Sequence, residues 1–72
     1  MKLSEAFEMV PKELYGCNAT VQEKNYDVIS GTFASIKHFN GIDDYEVANE
    51  KEPFFVYDGF YKRISFEVKK IK

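Results

Sequence analysis

Apolar positions along the chain keep two different periods. Leu3, Phe7 and Val10 fall at spacings of four and three, which predicts one face of a short helix. Ser4 has the side chain of an N-cap, and Glu5 follows in the first turn, where the helix dipole favours negative charge. Pro11 pushes Val10 out of helical geometry and ends that helix. Pro11 to Tyr15 predicts one further turn, closed by Gly16 in the left-handed conformation. Beyond Gly16 the period drops to two. Cys17, Ala19 and Val21 alternate with Asn18, Thr20 and Gln22, as in a strand with one buried face. Lys24-Asn25 is a tight-turn signal, since Asn tolerates positive φ.

The next apolar stretch spans residues 28–39 and reads as one long strand. Ile29 and Phe33 share one face, whereas Ile36 and His38 fall on the other. That slip of phase predicts a bulge near Ala34-Ser35 or a bend at Gly31. Asn40-Gly41 is the strongest hairpin signal, leading into a strand on which Tyr45, Val47 and Asn49 alternate with Glu46 and Ala48. Pro53 suits the first position of a strand running from Phe54 to Tyr57. Asp58-Gly59 predicts another tight turn, and Ile64, Phe66 and Val68 alternate in a last strand.

The fold class that follows is mainly β (α+β). A short N-terminal helix, forming a lid over about residues 3–15, precedes a five-stranded antiparallel small barrel. The run LSEAFEMVPKELYGCNATVQEKNYDVISGTFASI resembles the opening of an Sm-like domain, in which a short helix leads into a strand, a tight turn and a bent Gly-bearing strand. SH3-like barrels resemble it through the same strand order. The resemblance implies a small barrel. It does not extend to the Sm-like RNA site, because Asp43-Asp44 precedes the third strand and no Arg-Gly occurs.

Length and charge narrow the class further. Seventy-two residues predict a single domain, residues 1–72, whose core supplies about 3–5 kcal/mol at most. Self-association into a homo-oligomer is one way to add stability. Cys17 is the only cysteine, so an internal disulfide is excluded, and one Cys with one His leaves a zinc finger short of ligands. The unpaired thiol and the lack of a signal-like apolar run predict a cytoplasmic protein that does not enter the membrane. Net charge is −2, but residues 1–60 carry five Lys against eleven Asp or Glu, and residues 61–72 carry five Lys or Arg against Glu67. Cross-strand pairing of opposite charges is the ordinary explanation of such a split.

Catalytic parts are scarce. Cys17 and His38 on neighbouring strands would make a nucleophile and base, yet Cys17 occupies an apolar phase and no oxyanion-hole turn stands nearby. Asp43, Asp44, Glu46 and His38 match no calcium loop, and a solvated acidic turn accounts for them equally well. Paired carboxylates for sugar cleavage lack a cleft, and no phosphate-cradling Gly loop occurs. The expectation is a non-enzymatic protein with no metal site and no cofactor.

EKEPFFVYDGFYKR, residues 50–63, holds five aromatic rings within eight residues, followed by a Lys-Arg pair. A strand turns only alternate side chains inward, so Phe54 with Val56 and Phe55 with Tyr57 are expected on opposite faces. Tyr57, Phe60 and Tyr61 flank the Asp58-Gly59 turn and are the candidates for exposure, beside Lys62 and Arg63. Such a tip suits a protein partner, because rigid aromatics and Arg dominate interface energetics. Single-stranded nucleic acid (RNA included) is the alternative, disfavoured by the negative charge of residues 1–60. The expected role is thus an adaptor or inhibitor, in one version a mobile-element inhibitor whose acidic surface, Asp43, Asp44, Glu46, Glu50 and Glu52, mimics phosphates.

Overall fold

The structure is a computed structural model that describes residues 1–49, 51 and 54–71. Helix α1 spans Leu3–Glu8, a 3₁₀ turn Lys12–Leu14, strand β1 Asn18–Glu23 and strand β2 Tyr26–Thr32. Helix α2 follows over Phe33–Ile36, then a 3₁₀ turn Ile42–Asp44, β3 Tyr45–Val47, β4 Val56–Asp58 and β5 Arg63–Lys70. A short N-terminal helix and five strands form, as the sequence predicts.

The strands pair differently from the expected antiparallel barrel. β5 lies at the centre, parallel to β1 from Asn18↔Arg63 to Glu23↔Val68. β1 pairs antiparallel with β2, whereas β3 and β4 share the other edge of β5, also antiparallel. The sheet is therefore mixed. Among the described residues no pairing joins β2 to β3 or β4, so it is also open. β3 and β4 follow one another along that same edge of β5. Residues 48–55 separate Val47 from Val56 on this edge, where only Phe66 and Glu67 separate their partners on β5.

Alternation along β1 and β5 explains where the core lies. Ala19, Val21, Ile64, Phe66 and Val68 point to one face and are buried, and Val47 joins them opposite Val68. Leu3, Phe7 and Val10 bury the predicted helix face against them. Phe7 touches Phe33 and Phe66 edge-on, with ring centroids 5.1 and 4.8 Å apart. Edge-to-face packing sets positive ring edges against negative faces, so the three rings lock the lid, α2 and the sheet together. Asn18, Thr20, Gln22, Ser65 and Glu67 alternate onto the opposite face of the sheet.

Several local expectations move. α1 starts two residues early: Lys2 is its N-cap, and Glu5 Oε1 accepts the Lys2 backbone N–H at 3.0 Å, leaving Ser4 inside the first turn. Gly16 is not left-handed; the 3₁₀ turn is closed by Tyr15 N–H donating to the Lys12 carbonyl. The long second strand stops at Thr32, and the phase slip marks the start of α2, which buries Phe33 and Ile36 at a spacing of three. A register shift does occur, but earlier, opposite Val21/Gln22 in the β1–β2 pair. Asn40-Gly41 does turn, with Gly41 at φ +100°, but it leads into the 3₁₀ turn at Ile42 and not into a hairpin. Lys24, and not Asn25, takes the left-handed position between β1 and β2. The expectation for Pro53 lies outside the described residues.

Candidate functional site: an aromatic tip and a cleft at opposite ends of the sheet

The segment 54–63 does not alternate as the strand argument expected, because β4 begins only at Val56 and all three of its residues are exposed. Phe54 and Phe55 precede β4 and are half-buried, with the Phe55 ring 5.6 Å from Phe66. Val56, expected on the same face as Phe54, is exposed on β4. Tyr57 is 42%, Phe60 86% and Tyr61 64% exposed.

Backbone chemistry holds these last rings outward. Asp58↔Arg63 is the final pair of the β4–β5 ladder, and four residues close the hairpin. Asp58 Oδ1 accepts the N–H of Phe60 at 2.9 Å and of Tyr61 at 3.3 Å, an Asx turn that satisfies two loop donors with one side chain. Lys62 takes φ +52° and returns the chain to β5. With the backbone fixed, the Phe60 and Tyr61 rings pack edge-on at 4.8 Å, and the Arg63 guanidinium lies 5.8 Å from the Tyr61 ring centre. All five predicted residues, Tyr57, Phe60, Tyr61, Lys62 and Arg63, are exposed along this hairpin.

The acidic surface is less coherent. Asp43 and Asp44 are exposed in the 3₁₀ turn, while Glu46 faces Lys69 across the β3–β5 ladder at 3.6 Å. That pair is the cross-strand charge pairing expected of the two halves. Glu50 and Glu52 lie outside the described residues. Among the described residues no three His, Cys, Asp or Glu side chains converge as a metal site would require.

A cleft of about 220 Å³ opens between α1 and the chain after α2, lined by Ser4, Phe7, Glu8, Lys37, His38, Ile42 and Asp43. Lys37 Nζ donates to the Tyr15 hydroxyl at 3.1 Å and lies 4.5 Å from that ring's centre. His38 belongs to this cleft and not to a strand, and half-buried Cys17 is not among the lining residues. The cleft thus does not join Cys17 to His38, the nucleophile–base pair that the sequence argued against. Sequence reasoning missed the cleft because it read α2 as strand; the available signal was the Phe33-x-x-Ile36 spacing.

On the far edge of the sheet, exposed Tyr26 donates a hydrogen bond to the Glu23 carboxylate. That bond, helped by slight desolvation and the carboxylate charge, raises the phenol pKa above its ordinary value.

No protein-family model, curated protein or solved structure matches the chain. What fold and site define is a class: a small α+β domain, helices over one face of an open mixed sheet, with an aromatic-basic hairpin tip.

Proposed function

We propose that the domain is a non-enzymatic interaction module, an adaptor or inhibitor, which binds a protein partner through Tyr57, Phe60, Tyr61, Lys62 and Arg63. One observation carries this reading: Phe60 and Tyr61 stand in solvent on a turn whose backbone is tied down by Asp58. Leaving a Phe ring exposed forfeits roughly 1.5–3 kcal/mol of burial, and a fixed turn removes much of the ordering cost on binding. Rigid aromatics beside Arg are what interfaces use as anchors. The resemblance to Sm-like and SH3-like modules fits this role at the level of a helix followed by five short strands. A cytoplasmic setting fits the free Cys17.

Single-stranded nucleic acid is the second reading, favoured by the Arg63 guanidinium near the Tyr61 ring with Lys62 alongside. A phosphate-mimicking inhibitor would draw on Asp43 and Asp44, since Glu46 already has Lys69.

The test is capture from native lysate with wild-type and Tyr61→Ala baits, with and without nuclease. Under the proposal, bound protein survives nuclease and is lost with Tyr61→Ala, a change of about 1–2 kcal/mol or more. Capture that vanishes with nuclease hands the site to nucleic acid. In that case Lys62→Ala/Arg63→Ala should flatten the salt dependence by about 1.4 in slope. Capture indifferent to Tyr61 sinks both readings.

A further inference from the structure

Two features described above are complementary in shape and charge. The cleft beside α1 has an apolar floor, Phe7 and Ile42, and carboxylates at its rim, Glu8 and Asp43. At about 220 Å³ it falls below the roughly 300–1,000 Å³ of pockets that take drug-sized ligands, and it suits a single side chain. At the other end of the molecule Phe60 is 86% exposed, flanked by the cations Lys62 and Arg63. Lys37 and His38 also line the cleft, but the Lys37 ammonium is engaged by the Tyr15 hydroxyl and ring. Glu8 and Asp43 set two carboxylates against the one ammonium of Lys37 in this lining, so the balance of full charges favours an incoming cation.

We propose that the aromatic tip of one copy plugs the cleft of a second copy, so that the chain associates head to tail. This rests on reading the tip as a contact surface, and it names a partner for it. Within one molecule the Asp43 side of the cleft lies far from the tip. The cleft's Asp43 adjoins Asp44, whose carbonyl accepts the Ile71 N–H at 2.8 Å, just past the end of β5. The tip lies at the Arg63 end of the same strand. Eight residues at about 3.3 Å each put the two ends roughly 25 Å apart, in a molecule 33 Å in its longest dimension. Plug and socket are different surfaces on one chain, so the contact is heterologous and continues from copy to copy unless the rotation closes a ring. One ring and a few charges make a contact well under the size of a permanent interface. Association should therefore be fast, reversible and evident only at high concentration, and it should weaken as salt screens the charges.

The experiment is sedimentation of the whole chain over a range of concentrations, for wild type, Phe60→Ala and Asp43→Lys. Both substituted residues are exposed, and an amide spectrum checks that each variant folds. Wild type should gain mass with concentration, and each variant should need at least about tenfold more protein to do so. The decisive arm mixes the two variants. Phe60→Ala keeps a working cleft and Asp43→Lys a working tip, so together they should form a dimer that grows no further. In ¹⁵N-labelled Phe60→Ala, unlabelled Asp43→Lys should shift the amides of Phe7, His38 and Ile42. Wild type that stays monomeric at its solubility limit overturns the proposal, and so does association indifferent to Phe60→Ala. The lysate captures keep the two readings separable: capture of another protein that depends on Tyr61, by a chain that stays monomeric, leaves the tip standing and removes only the cleft as its socket.

Discussion

Phe60 and Phe66 lie six residues apart and occupy opposite environments, 86% and 1% exposed. Their alanine substitutions should separate accordingly. Phe66→Ala removes a ring in contact with Phe7, Phe33 and Phe55, and should cost about 3–5 kcal/mol in urea denaturation. Phe60→Ala should change stability by less than about 0.5 kcal/mol. A comparable loss at both positions would mean that the tip is folded inward in solution. Gly31 supplies a second contrast. Its φ is +156°, and a Cβ there would stand 3.2 Å from Ile36 Cγ2, at the joint between β2 and α2. Gly31→Val should lower the melting temperature clearly, whereas substitution at Gly16, where nothing lies within 4 Å of the added carbon, should not. At Tyr26 the folded-state pKa is raised, so the Glu23 bond stabilises the fold below the ordinary phenol pKa and is lost as pH rises through the raised one. An ultraviolet titration should show one tyrosine ionising late, and Tyr26→Phe should remove it.

At the scale of elements, legibility followed the length of the uninterrupted pattern. β1 and β5 each keep strict alternation, and their buried residues are the ones the pattern picks out: Ala19, Val21, Ile64, Phe66 and Val68. The face of α1 was equally plain. What failed was local competition. Phe33 and Ile36 are compatible with strand or helix by composition, and a four-residue helix is too short to show a period. The tip was legible as a turn with exposed rings because Asp-Gly and a cluster of aromatics both mark it. The cleft was not, since it depends on how α1 and the chain after α2 approach each other. The Asx turn makes a prediction at this scale. Asp58→Ala leaves the Phe60 and Tyr61 N–H groups without their acceptor, so their hydrogen exchange should quicken while β1 amides keep their protection. Unchanged exchange at both would remove the argument that the rings are held in place.

For the molecule as a whole, far-UV circular dichroism should show a dominant strand signal with a minor helical part, and a helix-dominated spectrum would contradict the sheet. Cys17 is half-buried, with its N–H and carbonyl bonded to Leu14 and Phe33. Its thiol should therefore react with a labelling reagent more slowly in the native protein than after denaturation. The charge split is partly resolved by the fold itself, which sets Glu46 beside Lys69. Lys62 and Arg63 stand with Asp58 at one end of β5, and Asp43 and Asp44 with Lys70 near the other.

The central place of β5 has a kinetic consequence. The strand that β1, β3 and β4 all pair with is the last of the five in the chain. The β1–β2 hairpin closes over a two-residue turn and can form early, but β1 meets its parallel partner only across more than forty residues. Closing that span costs entropy before it returns any contact, which places the β1–β5 ladder in the slow step of folding. On a ribosome, a nascent chain that has emerged only as far as Tyr61 leaves β4 without its ladder and β3 with only its bridge to Lys2, and Leu3, Phe7 and Val21 lack the cover of Ile64, Phe66 and Val68. Sheet and core would appear together, once the final strand is free.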